Sequence, residues 1–248
     1  MSDLLVRALG WRALMLHGDP SVWDRYRWLR PRLRRGGVDV LDAGAGNGGF
    51  AIFAARAGNR ALGLSFSPGE MGAAERRAGL CGATSARFEV RDLRTIGDDA
   101  ELRGSFDEII CFEVLEHLLD DVGVLRDLAS ALRPGGRVLI TVPSHDHRPL
   151  FRERLAATED GGHVRWGYSE EQLRGVARAA GLRDLEAGAV SGAVTQALIE
   201  LQRRLGTVHR GLAWALTFPL RILQPLDRPL TSLTRCPYLS RTLVAEKP

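Results

Sequence analysis

The chain has 248 residues, of which 45% are hydrophobic and 26% charged, values that are ordinary for a globular protein and exclude a disordered or collagen-like chain. The longest apolar stretch, residues 211–220, is about half of the ~20 residues that a membrane-spanning helix needs. The net charge is +4, but the arginines are spread among acids, so this charge alone does not indicate a nucleic-acid partner. The three cysteines are isolated and the first residues lack the apolar core of a signal peptide, so we expect a cytoplasmic protein.

The predicted elements begin with a helical cap at residues 1–35 and continue as alternating strands and helices. Strands are predicted at 38–43, 60–65, 87–91, 106–112 and 137–142, and helices at 49–57, 68–78, 121–132 and 169–180. This alternation is typical of an α/β protein with a doubly wound, mostly parallel sheet, in which ligands bind beyond the carboxyl ends of the strands. The core spans residues 36–190, a helical and apolar insertion follows at 191–236, and a last strand lies in 237–248; we expect the chain to form one domain.

Two segments outside the core leave alternatives open. Six arginines fall between Arg25 and Arg35, and they predict either a solvated helix face or a surface that binds an anionic or polyhydroxylated partner. The insertion at 191–236 is interpreted as a lid, as the contact surface of a homodimer, as a membrane-surface patch at 211–223, or as helices that simply pack over the sheet.

A glycine-rich turn follows the first predicted strand. Residues 41–48 read Leu-Asp-Ala-Gly-Ala-Gly-Asn-Gly, and the glycines at 44 and 46 let the backbone pass close to a ligand because no Cβ is in the way. Gly49 also completes the spacing of a dinucleotide-binding turn, so the spacing of the glycines alone does not decide between ligands.

Three further motifs follow the glycine turn in order. They are Arg91-Asp92-Leu93, residues 106–112 (Phe-Asp-Glu-Ile-Ile-Cys-Phe) and residues 132–138 (Leu-Arg-Pro-Gly-Gly-Arg-Val). Over about residues 36–190 this series resembles the class I S-adenosylmethionine-dependent methyltransferases. The resemblance implies S-adenosylmethionine as the cofactor and a seven-stranded sheet of the Rossmann-like methyltransferase type with a reversed last strand. The cofactor-binding residues it implies are Asp42, Gly44, Gly46, Ser65, Phe66, Asp92, Leu93 and Phe112.

Within that family the Gly44/Gly46 turn approaches the amino-acid end of the cofactor, and the Asp92 position bonds the adenine amine. One position departs from the family: where its members usually carry an acid that holds both ribose hydroxyls, this chain has Ser65. A neutral hydroxyl lacks the charge-assisted, bidentate bond, so we expect Ser65→Asp to tighten cofactor binding. Phe66 is expected either to stack on the adenine or to belong to the core.

Two carboxylates and a histidine follow the fourth predicted strand. Glu113, Glu116 and His117 are spaced i, i+3, i+4, which on a helical turn gathers the side chains on one side. Two adjacent carboxylates repel each other unless a proton or a cation lies between them. Together with an imidazole they suit Mg²⁺ or Mn²⁺.

This E-x-x-E-H segment resembles that of the metal-dependent small-RNA 2′-O-methyltransferases and the corresponding segment of ubiquinone-biosynthesis O-methyltransferases. In the RNA family a further histidine after the fifth strand completes the site, and His163 is the nearest match in this chain. The resemblance implies that Glu113, Glu116, His117 and His163 hold a divalent metal ion. Metal-free relatives carry a similar segment, so a histidine that only caps or packs is the alternative.

Histidines after the fifth predicted strand are candidates for a general base, since imidazole titrates near neutral pH. His145 and His147 follow this strand, and His145 is preferred because it is closer to the strand end. We therefore predict His145, His117 and Glu113 as catalytic groups. The alternative for the two later histidines is an ordinary loop position.

A hydroxyl is the acceptor that these residues favour. A protonated alcohol is a poor nucleophile and profits from a base or a metal ion, and a divalent ion favours two adjacent hydroxyls. We expect an O-methyltransferase that acts on a small molecule with vicinal hydroxyls, in the first place a sugar or oligosaccharide. The alternatives are a phenolic or quinone-like lipid, with the insertion touching a membrane, an RNA ribose, which the net charge disfavours, and an interaction module that does no chemistry.

Overall fold

The computed structural model describes residues 3–16, 18–147, 155–159 and 161–248. The helices are α1 (Asp3–Leu9), α2 (Arg12–Leu16), α3 (Pro20–Leu29), α4 (Gly49–Arg56), α5 (Pro68–Leu80), α6 (Asp121–Ala131), α7 (Glu170–Ala179), α8 (Ala193–Gly206), α9 (Arg210–Thr217) and α10 (Asp227–Thr234). The strands are β1 (Asp39–Ala43), β2 (Arg60–Ser65), β3 (Ala86–Val90), β4 (Phe106–Phe112), β5 (Leu132–Pro143), β6 (Arg183–Val190) and β7 (Ser240–Glu246). Short 3-10 helices lie at Leu93–Asp98, Leu115–His117 and Pro219–Leu226.

The strands form a seven-stranded sheet in the order β3-β2-β1-β4-β5-β7-β6. Strands β1 to β5 pair in parallel, and β7 runs antiparallel to both of its neighbours, β5 and β6. From β1 the chain continues to β2 and β3 toward one edge of the sheet, and from β4 it continues to β5 toward the other edge. The loops that follow these two neighbouring strands therefore diverge and leave a crevice at the carboxyl ends of the strands. The predicted α/β class, the doubly wound sheet and its reversed last strand are confirmed.

Strand β4 lies in the middle of the sheet and is buried on both faces, as its apolar sequence predicts. Ile109 and Cys111 belong to the hydrophobic cluster that also contains residues of α6 and α7. Ile110 and Phe112 belong to the opposite cluster, with residues of α3 and α4. The two clusters together hold the sheet between two layers of helices.

Strand β5 begins earlier than predicted. The sequence predicts it at 137–142, but Leu132 already pairs with Phe106, and the register shifts before Glu108 pairs with Arg137. Gly135 adopts φ +72° in the intervening Pro-Gly-Gly turn, a conformation that suits glycine. The turn therefore interrupts the strand without ending it.

The N-terminal helices and the insertion are joined by buried polar contacts. Asp24 of α3 accepts hydrogen bonds from Thr195 Oγ1 at 2.6 Å and from Gln224 Nε2 at 3.3 Å. Asp227 accepts from the backbone N–H groups of Val194 (2.8 Å) and Thr195 (3.2 Å), at the beginning of α8. Burial raises the pKa of Asp24 to about 6, because its charged form is poorly solvated there. Two segments that are distant in sequence are thus held together as one layer.

The arginines predicted as a solvated face mostly contact acids of the chain itself. Arg32 pairs with Glu186 of β6, and the backbone N–H of Arg34 donates to Glu108 at 2.8 Å. Arg25 reaches the functional site and is described there. Among the helices in the described part of the chain, none combines the length and the apolarity that crossing a membrane requires.

Candidate functional site

A cavity of about 400 Å³ opens at the carboxyl edge of the sheet, between the ends of β1, β2 and β3 and the turn after β4. Six of the predicted cofactor-binding residues line it, and so do Glu113 and His117. Those six are Gly44, Gly46, Ser65, Phe66, Asp92 and Leu93. The structure therefore brings most of the predicted cofactor residues together beside the E-x-x-E-H segment.

The two glycines of the turn serve different purposes. A Cβ on Gly44 (φ +84°) would lie 2.5 Å from Val114 Cγ2, so the packing of the turn after β4 already requires a glycine there. A Cβ on Gly46 (φ +49°) would have its nearest neighbour, the Gly44 carbonyl oxygen, at 3.9 Å. Gly46 therefore borders open space, which is where a ligand would come close to the backbone.

An acid that the sequence analysis missed stands beside Ser65. Glu70, in the first turn of α5, lines the same cavity, and its Oε2 accepts a hydrogen bond from Ser65 Oγ at 2.9 Å. Ser67 caps that helix and accepts from the backbone N–H of Glu70. The capping pattern of Ser67 and Glu70 was visible in the sequence, but only the fold shows that it returns a carboxylate to the end of β2. The expected tightening by Ser65→Asp loses its basis, since a charge is already present.

Two predicted cofactor residues lie outside the described lining of the cavity. Asp42 is buried and its carboxylate accepts a hydrogen bond from the backbone N–H of Ala51 at 3.0 Å, while burial raises its pKa to about 7. Phe112 belongs to the core, where its ring meets Phe50 edge-on at 4.9 Å. Asp42 thus positions the start of α4, and Phe112 packs between sheet and helices. Phe66 is the reverse case, because its side chain is 72% exposed and is not part of the core.

Asp92 shares its carboxylate with a neighbour. It accepts hydrogen bonds from the backbone N–H and the Nε of Arg94, both at 2.9 Å, and this guanidinium lowers the pKa of Asp92. Arg94 also pairs with Glu159 at 3.1 Å, which ties the segment at 155–159 to this wall of the cavity. An ionised carboxylate has acceptor sites for more than one donor, so Asp92 remains suited to an amino group.

Glu113 does not belong to the group of described residues whose side chains could share one metal ion. Its φ of +52° is left-handed, so the 3-10 helix Leu115–His117 begins only after it, and the regular i, i+3 geometry does not apply. Oε1 accepts from Thr141 Oγ1 at 3.0 Å, and Oε2 lies 3.2 Å from a guanidinium nitrogen of Arg25. The site thus contains an ion pair with the N-terminal cap, which no feature of the sequence indicated.

The other three predicted ligands come together. Glu116, His117 and His163 each offer one ligand atom, and these atoms all lie within 4.8 Å of one another. Glu116 is fully buried, and neither of its carboxylate oxygens has a hydrogen-bond partner among the described residues. Burial raises the pKa of Glu116 well above its ordinary value, and the charge of Glu113 adds to this. His117 Nδ1 lies 3.0 Å from the Gly162 carbonyl oxygen, which can only accept, so Nδ1 carries a hydrogen, and in the neutral imidazole Nε2 carries the lone pair.

His163 is brought to this cluster by backbone pairing and by one arginine. The N–H of Val164 donates to the Glu116 carbonyl at 2.9 Å. Next to it, Arg165 donates to the Leu118 carbonyl at 2.6 Å and pairs with Asp121. These bonds hold the segment that follows β5 against the turn that follows β4.

His145, the predicted general base, lies elsewhere. It is exposed and lines a separate cavity of about 640 Å³, together with Arg165 and Tyr168. The peptide N–H of His145 donates to the Tyr168 carbonyl at 3.0 Å, and His145 is not among the described residues that line the first cavity. His147 is half-buried, and burial lowers its pKa. His117 is therefore the predicted catalytic histidine that the structure brings to the cofactor-sized cavity.

The fold and the site together define a Rossmann-like methyltransferase fold with a cavity at the glycine turn. The family described as "Methyltransferase domain" matches residues 16–187, and the chain belongs to this family.

The chain is similar to known proteins in sequence and, separately, in three-dimensional structure. The ubiquinone biosynthesis O-methyltransferase of Xanthomonas axonopodis pv. citri is 32% identical over 117 residues, 47% of this chain and 48% of that protein. This chain therefore spans about half the length of the curated relatives that it matches. Phosphoethanolamine N-methyltransferase 2 of Haemonchus contortus, solved with S-adenosylmethionine, has a TM-score of 0.65 at 21% identity, over 99% of this chain and 59% of that one. The cyclase SpnF has a TM-score of 0.65 at 22% identity, over 92% of this chain and 82% of that one. Because a cyclase shares the fold, these likenesses speak for the fold alone.

Proposed function

We propose that the protein is an S-adenosylmethionine-dependent O-methyltransferase whose acceptor is a phenolic or quinone-like lipid. Its membership of the methyltransferase-domain family supports the reaction class. Curated relatives named ubiquinone biosynthesis O-methyltransferases support an aromatic hydroxyl as acceptor, whereas a sugar receives no such support. A catechol also offers the two adjacent hydroxyls that the sequence predicts.

The cofactor end of the site would be formed by residues that already line the cavity. Gly46 leaves room for the amino-acid end, the Ser65–Glu70 pair offers a carboxylate and a hydroxyl to the ribose, and Asp92 offers an acceptor to the adenine amine. Methyl transfer needs little beyond an in-line nucleophile close to the sulfonium. The remaining chemistry is the activation of the acceptor hydroxyl.

One observation carries the proposal for that step: Glu116 is a fully buried carboxylate without a described hydrogen-bond partner, next to two imidazoles. Such a group is costly unless it is protonated or bound to a cation. We therefore propose that Glu116, His117 and His163 hold a divalent metal ion, which when bound would lower the pKa of a neighbouring hydroxyl. Two imidazoles with one carboxylate suit Mn²⁺ or Zn²⁺ better than Mg²⁺.

Glu113 would have a separate role at the acceptor. Its carboxylate lines the cavity and is held by Arg25 and Thr141, so it can accept a hydrogen bond from an acceptor hydroxyl in a fixed direction. Arg25 comes from α3, and the cap would therefore take part in orienting the acceptor.

The test is methyl transfer to a catechol-type acceptor and, in parallel, to a polyhydroxylated sugar. Chelation with EDTA should stop turnover, Mn²⁺ should restore it, and S-adenosylmethionine binding should persist throughout. The matched variants His117→Ala and His145→Ala should differ in turnover. The first should lose a factor of ~10²–10⁴, and the second should change little. Full turnover after exhaustive chelation would overturn the metal and leave His117 Nε2 as an ordinary base. Turnover of the sugar alone would overturn the phenolic acceptor.

A further inference from the structure

The insertion carries an apolar stripe on its outer surface. Exposed aliphatic side chains recur every three or four residues between 212 and 233, through α9, the following 3-10 helix and α10. This spacing is found in side chains with exposed fractions from 38% to 79%: Leu212, Leu216, Leu220, Leu223, Leu226, Leu230 and Leu233. Ile222, next to them in the chain, is 81% exposed. Large aliphatic side chains rarely stay in water as a continuous row unless something covers them.

The inward face of the same helices is polar, the reverse of an ordinary surface helix. Thr217, Arg221, Gln224, Asp227 and Thr231 are all buried. Arg221 donates to the Gly18 carbonyl at 2.6 Å, and Gln224 donates to the Pro20 carbonyl at 3.1 Å. Because these bonds and the Asp227 contacts with α8 fix the polar side inward, the stripe cannot turn toward the core.

The charge around the stripe is one-sided. Residues 201–235 contain six arginines and a single acid, Asp227, which is buried. Arg203, Arg204, Arg228 and Arg235 are exposed. An aliphatic face bordered by arginines matches an anionic lipid surface, whose phosphates take the guanidinium groups and whose acyl chains take the leucines. A second copy of the chain fits poorly, since a twofold contact would bring the same arginines together.

We propose that the apolar stripe docks on the surface of an anionic membrane. The insertion is bonded to α3, and α3 also supplies Arg25 to the functional site. Docking at the stripe would therefore hold the acceptor side of the site close to a lipid phase. This proposal does not rest on the metal or on the acceptor, because it follows from the surface of the insertion.

The test is co-sedimentation of the full chain with vesicles of phosphatidylglycerol and phosphatidylcholine in equal parts, and with vesicles of phosphatidylcholine alone. We expect binding to the anionic vesicles that salt weakens. The double variant Ile222→Ser/Leu233→Ser should lose about tenfold or more in partitioning for each residue. Arg228→Gln and Arg235→Gln should lose about fivefold each on anionic vesicles.

The control is Leu4→Ser, which removes a side chain of similar exposure (73%) from α1 and should bind vesicles like the unaltered protein. S-adenosylmethionine binding should be equal in all variants, which shows that they are folded and keeps a failed docking test apart from a failed assignment of the reaction. Absence of vesicle binding, or undiminished binding by the double variant, would overturn the proposal. A dimer that the double variant dissociates, without vesicle binding, would assign the stripe to a second copy.

Discussion

The contact between Ser65 and Glu70 reverses the effect that the sequence alone predicts for Ser65→Asp on cofactor affinity. Replacing Ser65 by aspartate puts a second carboxylate against Glu70, whose Oε2 lies 2.9 Å from the present hydroxyl. Two like charges 4 Å apart repel by about 4 kcal/mol at an effective dielectric constant of 20 and about 1 kcal/mol in water. Glu70 is exposed, so the value in water is the better guide. Because this repulsion would push the Glu70 carboxylate away from the proposed ribose position, we expect Ser65→Asp to weaken S-adenosylmethionine binding by about fivefold.

Removing the acid at 70 should change the outcome. With the ribose placed as proposed, Glu70→Ser would lose a charge-assisted hydrogen bond to it, about 1.5–3 kcal/mol, and should bind the cofactor about 10–100-fold less tightly. In that background Ser65→Asp restores a single carboxylate at the same place, so the double variant should bind close to the level of the unaltered protein. The coupling between the two positions is therefore large and favourable.

Isothermal titration calorimetry with S-adenosylmethionine or S-adenosylhomocysteine measures all four affinities. Thermal melting without ligand checks that each variant is folded. Tighter binding by Ser65→Asp while Glu70 is intact, together with unchanged cofactor affinity in Glu70→Ser, would refute the reasoning. It would mean that residue 65, and not Glu70, contacts the ribose.

Three further predictions concern the glycine turn and two buried acids. Gly46→Val should abolish cofactor binding while costing only about 1–2 kcal/mol of stability for its left-handed backbone, whereas Gly44→Val should unfold the turn, as calorimetry and melting would show. In metal-free protein the raised pKa of Glu116 makes the native state bind the proton more tightly, so stability should fall as pH rises above about 4.5. Glu116→Gln should remove this fall, and Mn²⁺ should raise the melting temperature of the unaltered protein only. The pKa of Asp24 is raised to about 6, so its ionisation should cost about 3 kcal/mol of folding stability at pH 7. Asp24→Asn should therefore remove the fall in stability between pH 4 and pH 6.

The sheet could be predicted from the sequence because its signals are local. The bounds predicted for the second and fourth strands, 60–65 and 106–112, are those of β2 and β4. The helix predicted at 169–180 is also present, and Ser169 caps its start in a capping box with Gln172. Apolar runs that end at glycines, and polar residues that bond their own helix, carry their meaning within a few residues.

The site was less predictable because its contacts join distant parts of the chain. Nothing in the order of residues links Arg25 to Glu113, and that ion pair depends on how the cap folds over the sheet. His145 was predicted from its distance to a strand end, but the bond of its N–H to Tyr168 sets the direction of the loop. Phe112 follows the same logic, since the facing ring of Phe50 decides that it belongs to the core.

The two glutamates of the E-x-x-E-H segment show how the backbone assigns different roles to equal residue types. A regular helix would have given Glu113 and Glu116 the same backbone environment, but Glu113 is left-handed and lies before the 3-10 helix that contains Glu116. One carboxylate is partnered by Arg25 and Thr141 at the cavity, and the other is buried without a described hydrogen-bond partner beside two imidazoles. Different surroundings can give two carboxyl groups of one site different roles in catalysis. In the proposed site, the left-handed residue at 113 would let one glutamate meet the acceptor while the other meets a cation.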